Sequence, residues 1–260
     1  MFLGIFLVIP ILMLLARLTY ERGSYSIGQT MENDTKIITL IIGLHIVLAV
    51  TWTTPWDNYL VATRVWWYDI ALVNGATIGY VPIEEYTFFI LQPIMTGLWL
   101  IFLIPRLYNS SESKDYSNKI IRVIAALSTI LIWLVSFGLL LSDMKQFTYL
   151  SLELVWALPP ILIQLAFGAD ILWKQRKLVL SAILSATIFL SLADLIAIGM
   201  GTWTIDPAQS TGILLVNILP IEELIFFLLT NILIVCGVTL ALANDSKVRL
   251  RSFSAALSRQ

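Results

Sequence analysis

Seven stretches of this chain are long and apolar enough to cross a lipid bilayer, and this feature constrains the fold more than any other. A spanning helix needs about 20 mostly apolar residues, and backbone in hydrocarbon must satisfy its own hydrogen bonds. The segments cover approximately residues 2–19, 36–54, 82–104, 119–141, 147–171, 177–199 and 213–243. The sequence therefore predicts an all-α, polytopic membrane protein of seven transmembrane helices.

Composition supports this prediction and excludes several classes of function. The chain is 58% hydrophobic and 13% charged, whereas soluble domains have about 25% charged residues. Its net charge of -1 gives no basis for nucleic-acid binding. The single cysteine, Cys236, excludes an internal disulfide, and the single histidine, His45, cannot build a histidine metal site alone. No metal and no cofactor are expected.

The positions of the basic residues predict the orientation. Of the 16 Lys and Arg residues, only Arg64 and Lys145 fall at the N-terminus or in the even-numbered loops. The others lie in the odd-numbered loops and the C-terminal tail, and the positive-inside rule places those parts in the cytoplasm. No basic region precedes the first apolar run, so we interpret it as a retained helix rather than a signal peptide. We expect an integral plasma membrane protein with its N-terminus outside and its C-terminus in the cytoplasm.

A twelve-residue motif occurs twice. "VPIEEYTFFILQ" begins at Val81 and "LPIEELIFFLLT" begins at Leu219, so that Pro82 and Pro220 are 138 positions apart. Upstream of the two prolines lie Asp57 and Asp194, at distances of 25 and 26 residues. Between acid and motif come Trp66 and Trp67 in one copy and Trp203 in the other. Shared order and spacing indicate an internal repeat.

The repeat predicts two parallel three-helix units, because the motifs begin helices four apart. We divide the chain into a first repeat (1–108), a linker loop and connecting helix (109–146), a second repeat (147–243) and a basic cytoplasmic tail (244–260). A parallel repeat predicts a site between the halves near an axis along the membrane normal. The acids are expected in one outer layer, with Asp57 just after the second helix. Gln92, Gln164 and Asn231 are expected to form hydrogen bonds between helices.

Paired carboxyl groups at the start of an apolar helix admit two interpretations. Proline and acids suit a first helical turn, and for one copy this explanation is sufficient. It accounts poorly for the duplication and for the accompanying aspartates. Acids in or near a bilayer are costly and usually functional, and a carboxyl pair can donate and accept protons. The candidate catalytic residues are Glu84, Glu85, Glu222, Glu223, Asp57 and Asp194.

The aromatic residues beside these acids can bind an apolar substrate and stabilise a carbocation through their π faces. These candidate substrate-binding residues are Phe88, Phe89, Phe226, Phe227, Trp66, Trp67 and Trp203. For any single ring, packing against lipid or protein remains an alternative. Together, acids and aromatic rings are the parts required for acid-triggered rearrangement of an alkene.

The stretches "PWDNYLV", "WWY", "PIEEYTFFILQ", "LADLIAIGMGTW" and "LPIEELIFFLLTN" resemble the flavin-independent, membrane-integral lycopene cyclase domain family, in its fused archaeal form. The resemblance covers about residues 36–240. It implies an intramolecular lyase that converts the ψ-ends of lycopene into β-ionone rings, giving γ-carotene and then β-carotene. It maps the family's paired acids onto Glu84, Glu85, Glu222 and Glu223. Which glutamate is the acid, and whether there are one or two sites, stays open.

The expected partners are lycopene or another linear carotenoid and membrane lipid, with no nucleic acid. The sequence does not determine the oligomeric state. One alternative is a related carotenoid end-group enzyme, a hydratase in which water quenches the cation. Another is a proton-coupled seven-helix transporter, which parallel repeats and buried acids would also suit.

Overall fold

The apolar segments fold as helices, as the sequence predicts. The structure, a computed structural model, describes residues 3–24, 30–108 and 117–257, with side chains over 3–21, 37–108 and 117–252. Seven of its helices are long and apolar enough to span a membrane. They are α1 (Ile9–Ser24, continuous with a π-helical turn Gly4–Val8), α2 (Thr30–Ala62), α3 (Ile83–Leu107), α4 (Lys119–Leu140), α5 (Thr148–Lys174, after a 3-10 turn Lys145–Phe147), α6 (Arg176–Gly199) and α7 (Ile221–Leu242). A final helix, α8, covers Asn244–Leu257.

Short strands lie between the helices at one end of the bundle. They are β1 (Trp66–Tyr68), β2 (Thr77–Ile78), β3 (Val81–Pro82), β4 (Trp203–Ile205), β5 (Leu214–Leu215) and β6 (Leu219–Pro220). β2 pairs with β3 and β5 with β6, each as an antiparallel hairpin directly before a motif helix. β1 and β4 pair with each other and so join the segment after α2 to the segment after α6. Element order is therefore the same around the two motifs, while the division into two repeats and a connector stays a prediction.

The end of α2 differs from the prediction. Asp57 was expected after the second helix, but α2 continues to Ala62 and contains it. The apolar stretch ends near Thr54, yet the helix persists beyond Pro55, and side-chain hydrogen bonds flank the proline. The Thr54 hydroxyl donates to the Val50 carbonyl at 2.5 Å, and the Trp56 indole donates to the Leu152 carbonyl of α5 at 3.1 Å. At the other motif, the apolar segment at 213–243 is not helical throughout, since β5 and β6 occupy part of its start and α7 begins at Ile221.

The β2–β3 turn requires glycine. Gly79 has φ +66°, and a Cβ atom there would lie 2.1 Å from Asn58 Oδ1. That oxygen accepts a hydrogen bond from the Tyr80 backbone N–H at 2.7 Å. The turn is thus fastened to α2, and it fixes the position at which α3 begins.

A polar network joins three helices within the apolar interior. The Asn231 side-chain oxygen on α7 accepts hydrogen bonds from Gln92 at 3.0 Å and Thr96 at 2.8 Å on α3. Its amide group donates to Thr187 on α6 at 3.2 Å. Gln164 on α5 donates to the Leu233 carbonyl at 2.9 Å. The predicted interhelical hydrogen bonds are confirmed for these residues.

Basic residues hold the opposite end of the bundle together. Asp170 on α5 is buried and pairs with Arg249 on α8 at 2.7 Å and Arg122 on α4 at 3.6 Å. Lys174 pairs with Asp245 at 3.0 Å. The predicted tail is therefore helical and packed against α5 as far as it is described. The polar loop between the proposed halves, at 109–116, lies outside the described residues, as does 258–260.

Candidate functional site

A cavity of about 550 Å³ opens at the end of the bundle where α3, α5 and α7 begin and α2 and α6 end. The π-helical turn before α1 closes one side of it with Leu3, Ile5 and Leu7. Its walls are mainly apolar, so the few acids among them stand out. The helices of both motifs contribute to this single space.

Most of the predicted site residues line this cavity. They are Asp57, Glu84, Glu85, Asp194 and Glu223 among the acids, and Trp66, Phe88, Phe89, Trp203, Phe226 and Phe227 among the aromatic residues. Two predicted residues do not contribute to its walls. Glu222 is fully buried behind the cavity, and Trp67 lies in β1 opposite Thr204 of β4.

The two glutamates of each motif point to different surroundings. Glu84 Oε1 accepts the Asn74 backbone N–H at 2.7 Å, and Glu222 Oε1 accepts the Thr211 backbone N–H at 2.6 Å. The first glutamate of each pair therefore ties down the loop before its helix. Glu85 and Glu223 are rotated about 100° around their helices from these neighbours and line the cavity. In the second motif this separates a loop-holding acid, Glu222, from a cavity-lining acid, Glu223; in the first motif Glu84 holds its loop and also lines the cavity beside Glu85.

Each aspartate interacts with a tryptophan nine positions further along the chain. The Trp66 indole N–H donates to Asp57 Oδ1 at 3.0 Å. Asp194 lies near Trp203 and Glu223 and interacts electrostatically with both. These tryptophans lie in the paired strands β1 and β4, which hold both Asp–Trp pairs at the same end of the cavity. The equal spacing of nine residues is present in the sequence, but it did not lead us to predict an interaction between each aspartate and its tryptophan.

Among the residues that the structure describes, no Lys or Arg forms an ion pair with the acids of the cavity. Asp57, Asp194 and Glu223 are buried. Burying several unpaired carboxylates together is very costly. The cluster must therefore share protons, which is what an acid–base site requires. Within the described part of the chain, no group of three His, Cys, Asp or Glu residues could hold a metal ion.

Aromatic rings form a continuous wall beside these acids. Trp56 stacks on Trp156 at 4.7 Å between ring centroids and on Phe226 at 6.0 Å. Phe88 lies 6.3 Å from Phe226 and 6.0 Å from Phe227, which joins the two motifs across the cavity. Trp56 and Trp156 were not predicted, although Trp56 directly precedes Asp57 in the sequence.

Tyr149 was also missed. It is the second residue of α5, it is buried, and its hydroxyl donates to Glu223 Oε1 at 2.7 Å. Its backbone N–H donates to the Gln209 carbonyl at 2.9 Å, so the loop after β4 holds the start of α5 in place. The only available signal was its location in the outer layer at the head of a spanning segment, since this tyrosine has no counterpart in the first copy.

Comparison with known proteins identifies relatives of this chain. The chain is 39% identical over 201 residues to the lycopene beta-cyclase of Halobacterium salinarum. The aligned region covers 76% of this chain and 81% of that protein. The chain is 37% and 35% identical to the bifunctional lycopene cyclase/phytoene synthases of Aspergillus oryzae and Podospora anserina, over 78% of this chain in each case. The matched region is 33% and 35% of those longer fungal proteins. No protein-family model and no solved structure matches the chain. The chain belongs to the lycopene beta-cyclase family.

Proposed function

We propose that this protein cyclises the ψ-end groups of lycopene to β-ionone rings, giving γ-carotene and then β-carotene. The observation that carries the proposal is the single apolar cavity in which Glu85 and Glu223, from the two motifs, meet beside stacked aromatic rings. Family membership supplies the substrate class, and the cavity supplies groups suited to that chemistry.

The reaction is an isomerisation that begins and ends with proton transfer. An acid adds a proton at C2 of the end group and leaves a cation at C1. The C5=C6 double bond attacks C1 and closes the ring, so that the positive charge moves to C5. A base removes the C6 proton, and the electrons of that C–H bond form the new C5=C6 double bond. One proton enters and one leaves, with no change in oxidation state.

Glu85 and Glu223 are the residues we assign to these two transfers, because both line the cavity, whereas Glu84, which also lines it, is engaged with the Asn74 backbone N–H. Asp57 and Asp194 lie in the same walls and stabilise positive charge as it develops in a site from which water is excluded. Trp56, Phe88 and Phe226 present π faces that stabilise the carbocation without reacting with it. Glu84 and Glu222 act by holding the loops that shape the cavity.

The cavity volume suits one end group at a time. Sites for small ligands are typically about 300–1,000 Å³, and the present one must accommodate a bulky ring together with part of a polyene. Exposed apolar residues at its rim, Ile5, Leu72 and Met200, give the carotenoid a path from the lipid. The two ends are then processed in turn, with the remaining chain extending into the membrane.

Both motifs contribute to one site because the halves are related by a pseudo-twofold axis along the membrane normal. The pairing of β1 with β4 supports this arrangement. Trp67 lies opposite Thr204, and the same offset of 137 separates Trp67 from Thr204 as separates Asp57 from Asp194. The distribution of Lys and Arg places this end of the bundle outside the plasma membrane and the Asp170–Arg249 end in the cytoplasm.

Expression in a bacterium that accumulates lycopene tests the proposal. Pigments are extracted and analysed by chromatography and mass spectrometry, with the protein quantified in the membrane fraction. We expect γ-carotene and β-carotene, both with the mass of lycopene. Unchanged lycopene beside membrane-inserted protein would refute the proposal, and a gain of one water per end would identify a hydratase instead.

A further inference from the structure

A further buried acid, Glu153, lies on α5 four residues after Tyr149. It is fully buried and does not line the cavity. Neither of its carboxyl oxygens has a hydrogen-bonding partner among the described residues. It interacts electrostatically with Tyr149, Glu222 and Glu223. An unpaired carboxylate in such a place is very costly, so Glu153 holds a proton in the resting protein.

This arrangement exists on one side of the cavity only. The two copies of the repeat are offset by 137 or 138 residues. At that offset Tyr149 corresponds to Leu12 or Ile11 of α1, and Glu153 corresponds to Ala16 or Leu15. None of these side chains can carry a proton. Glu85 has no tyrosine and no further acid in the equivalent place. The two halves of the cavity therefore differ around their glutamates: Glu223 has a tyrosine and a further acid beside it, and Glu85 has neither at the corresponding positions.

The chemistry gives such an acid a purpose. After each ring closure the acid that protonated C2 is ionised and must be reloaded before the next ring can form. A carotenoid that fills the apolar cavity keeps bulk water away from that acid. A proton that arrives through the protein, from behind the cavity wall, avoids this obstacle.

We infer that Glu153 is a proton-storing residue that reloads Glu223 through the hydroxyl of Tyr149. In this relay the Glu153 side chain, one helical turn after Tyr149 and unpaired in the resting structure, first rotates to donate to Tyr149 Oη. The Glu153 O–H bond then breaks as its proton passes to Tyr149 Oη, and the original Tyr149 proton passes to Glu223. The inference rests on the proposed function and deepens it, because it assigns Glu223 as the acid and Glu85 as the base. Each ring draws one proton from Glu223 and returns one to Glu85. Glu85 gives that proton to water and Glu153 takes one from water after the product has left the cavity, so each completed cycle neither gains nor loses protons.

The test compares the first ring with later rings, using purified full-length protein in liposomes loaded with lycopene. Rapid mixing followed by chemical quench gives the rate of the first ring closure per protein molecule, and longer incubation gives the steady-state rate. The variants are Tyr149→Phe and Glu153→Gln, which nearly conserve volume, and Glu153→Asp as the conservative rescue. Tyr86→Phe is the matched control, since this buried hydroxyl donates to the Ile78 carbonyl at 3.0 Å and Tyr86 does not line the cavity.

In Tyr149→Phe and Glu153→Gln we expect a first-ring rate close to that of the native protein and a steady-state rate lower by about a hundredfold, the lower end of the range for loss of one proton-transfer group. Glu153→Asp should recover most of the loss, and Tyr86→Phe should not separate the two rates. A parallel fall of both rates would show a structural role and overturn the inference, as would native steady-state rates in both variants. Failure of the native protein to convert lycopene would instead refute the proposed function.

Discussion

The division of labour within each glutamate pair predicts unequal effects of the same substitution at neighbouring positions. Glutamine preserves the shape of glutamate but cannot exchange a proton. Glu85→Gln and Glu223→Gln each remove a proton-transfer group, which typically contributes about 10²- to 10⁴-fold in rate. At 1.36 kcal/mol per tenfold, this is about 3 to 5 kcal/mol of transition-state stabilisation.

Glu222→Gln is the matched comparison, since its amide oxygen can still accept the Thr211 N–H that the carboxylate accepts at 2.6 Å. A hydrogen bond to a charged group is stronger than a neutral one by about 1 kcal/mol. Even if that whole difference disturbed the cavity, the rate would fall by only about fivefold. We therefore expect Glu223→Gln to be at least tenfold slower than Glu222→Gln.

The measurement is lycopene conversion by purified variants in liposomes, normalised to folded protein and followed by chromatography of γ-carotene and β-carotene. Thermal unfolding in detergent identifies variants that have lost the fold. Equal rates in Glu222→Gln and Glu223→Gln, with both proteins folded, would contradict the assignment. Near-native rates in both Glu85→Gln and Glu223→Gln would show that the paired acids serve only as helix starts.

Three further substitutions examine the aromatic wall, the polar network and the motif turn. Trp56→Leu should slow cyclisation by roughly thirtyfold, because a desolvated cation–π contact contributes about 2 kcal/mol. Trp133→Leu, which alters an indole bonded to α5 outside the cavity, should leave the rate near native in the same assay. Asn231→Leu removes three interhelical hydrogen bonds. At roughly 0.6 kcal/mol for each bond, the free energy of unfolding in detergent should fall by about 2 kcal/mol. An unchanged free energy of unfolding would show that the network does not stabilise the fold. Gly79→Ala should lower the free energy of unfolding in detergent by at least about 1 kcal/mol, because alanine is strained at the positive φ of this position. Gly138→Ala in α4 is the control: an added Cβ meets nothing within 4 Å there, so the free energy of unfolding should stay the same or rise.

The spanning helices could be predicted because hydrophobic length decides them almost alone. The six strands could not, since stretches of two or three residues have no readable period. Asp57 was placed outside α2 because the apolar stretch ends near Thr54, whereas the helix continues to Ala62 with a side-chain hydrogen bond to another helix beside the proline. Local hydropathy does not report such bonds.

The candidate site could be predicted where the two copies agree and not where they differ. The repeat pointed to the acids and phenylalanines, most of which line one cavity. That adjacent glutamates have different surroundings, as Glu222 and Glu223 do, follows from 3.6 residues per turn and could have been inferred from the motif itself. Tyr149 lies 74 residues from Glu223 and has no repeat partner, so its contact with that acid required the fold.

One site is a better account of this architecture than two. Two independent sites would need a complete set of acids in each half, separated by packed side chains. Instead, Asp57 and Glu85 share a cavity with Asp194 and Glu223, and Phe88 meets Phe226 across it. With five acids lining one apolar space, an equal partition of protons would leave no group poised to donate and none to accept. Tyr149 breaks that equality by donating a hydrogen bond to Glu223 and not to Glu85, and ordered proton transfer through a nearly symmetric site requires such a difference.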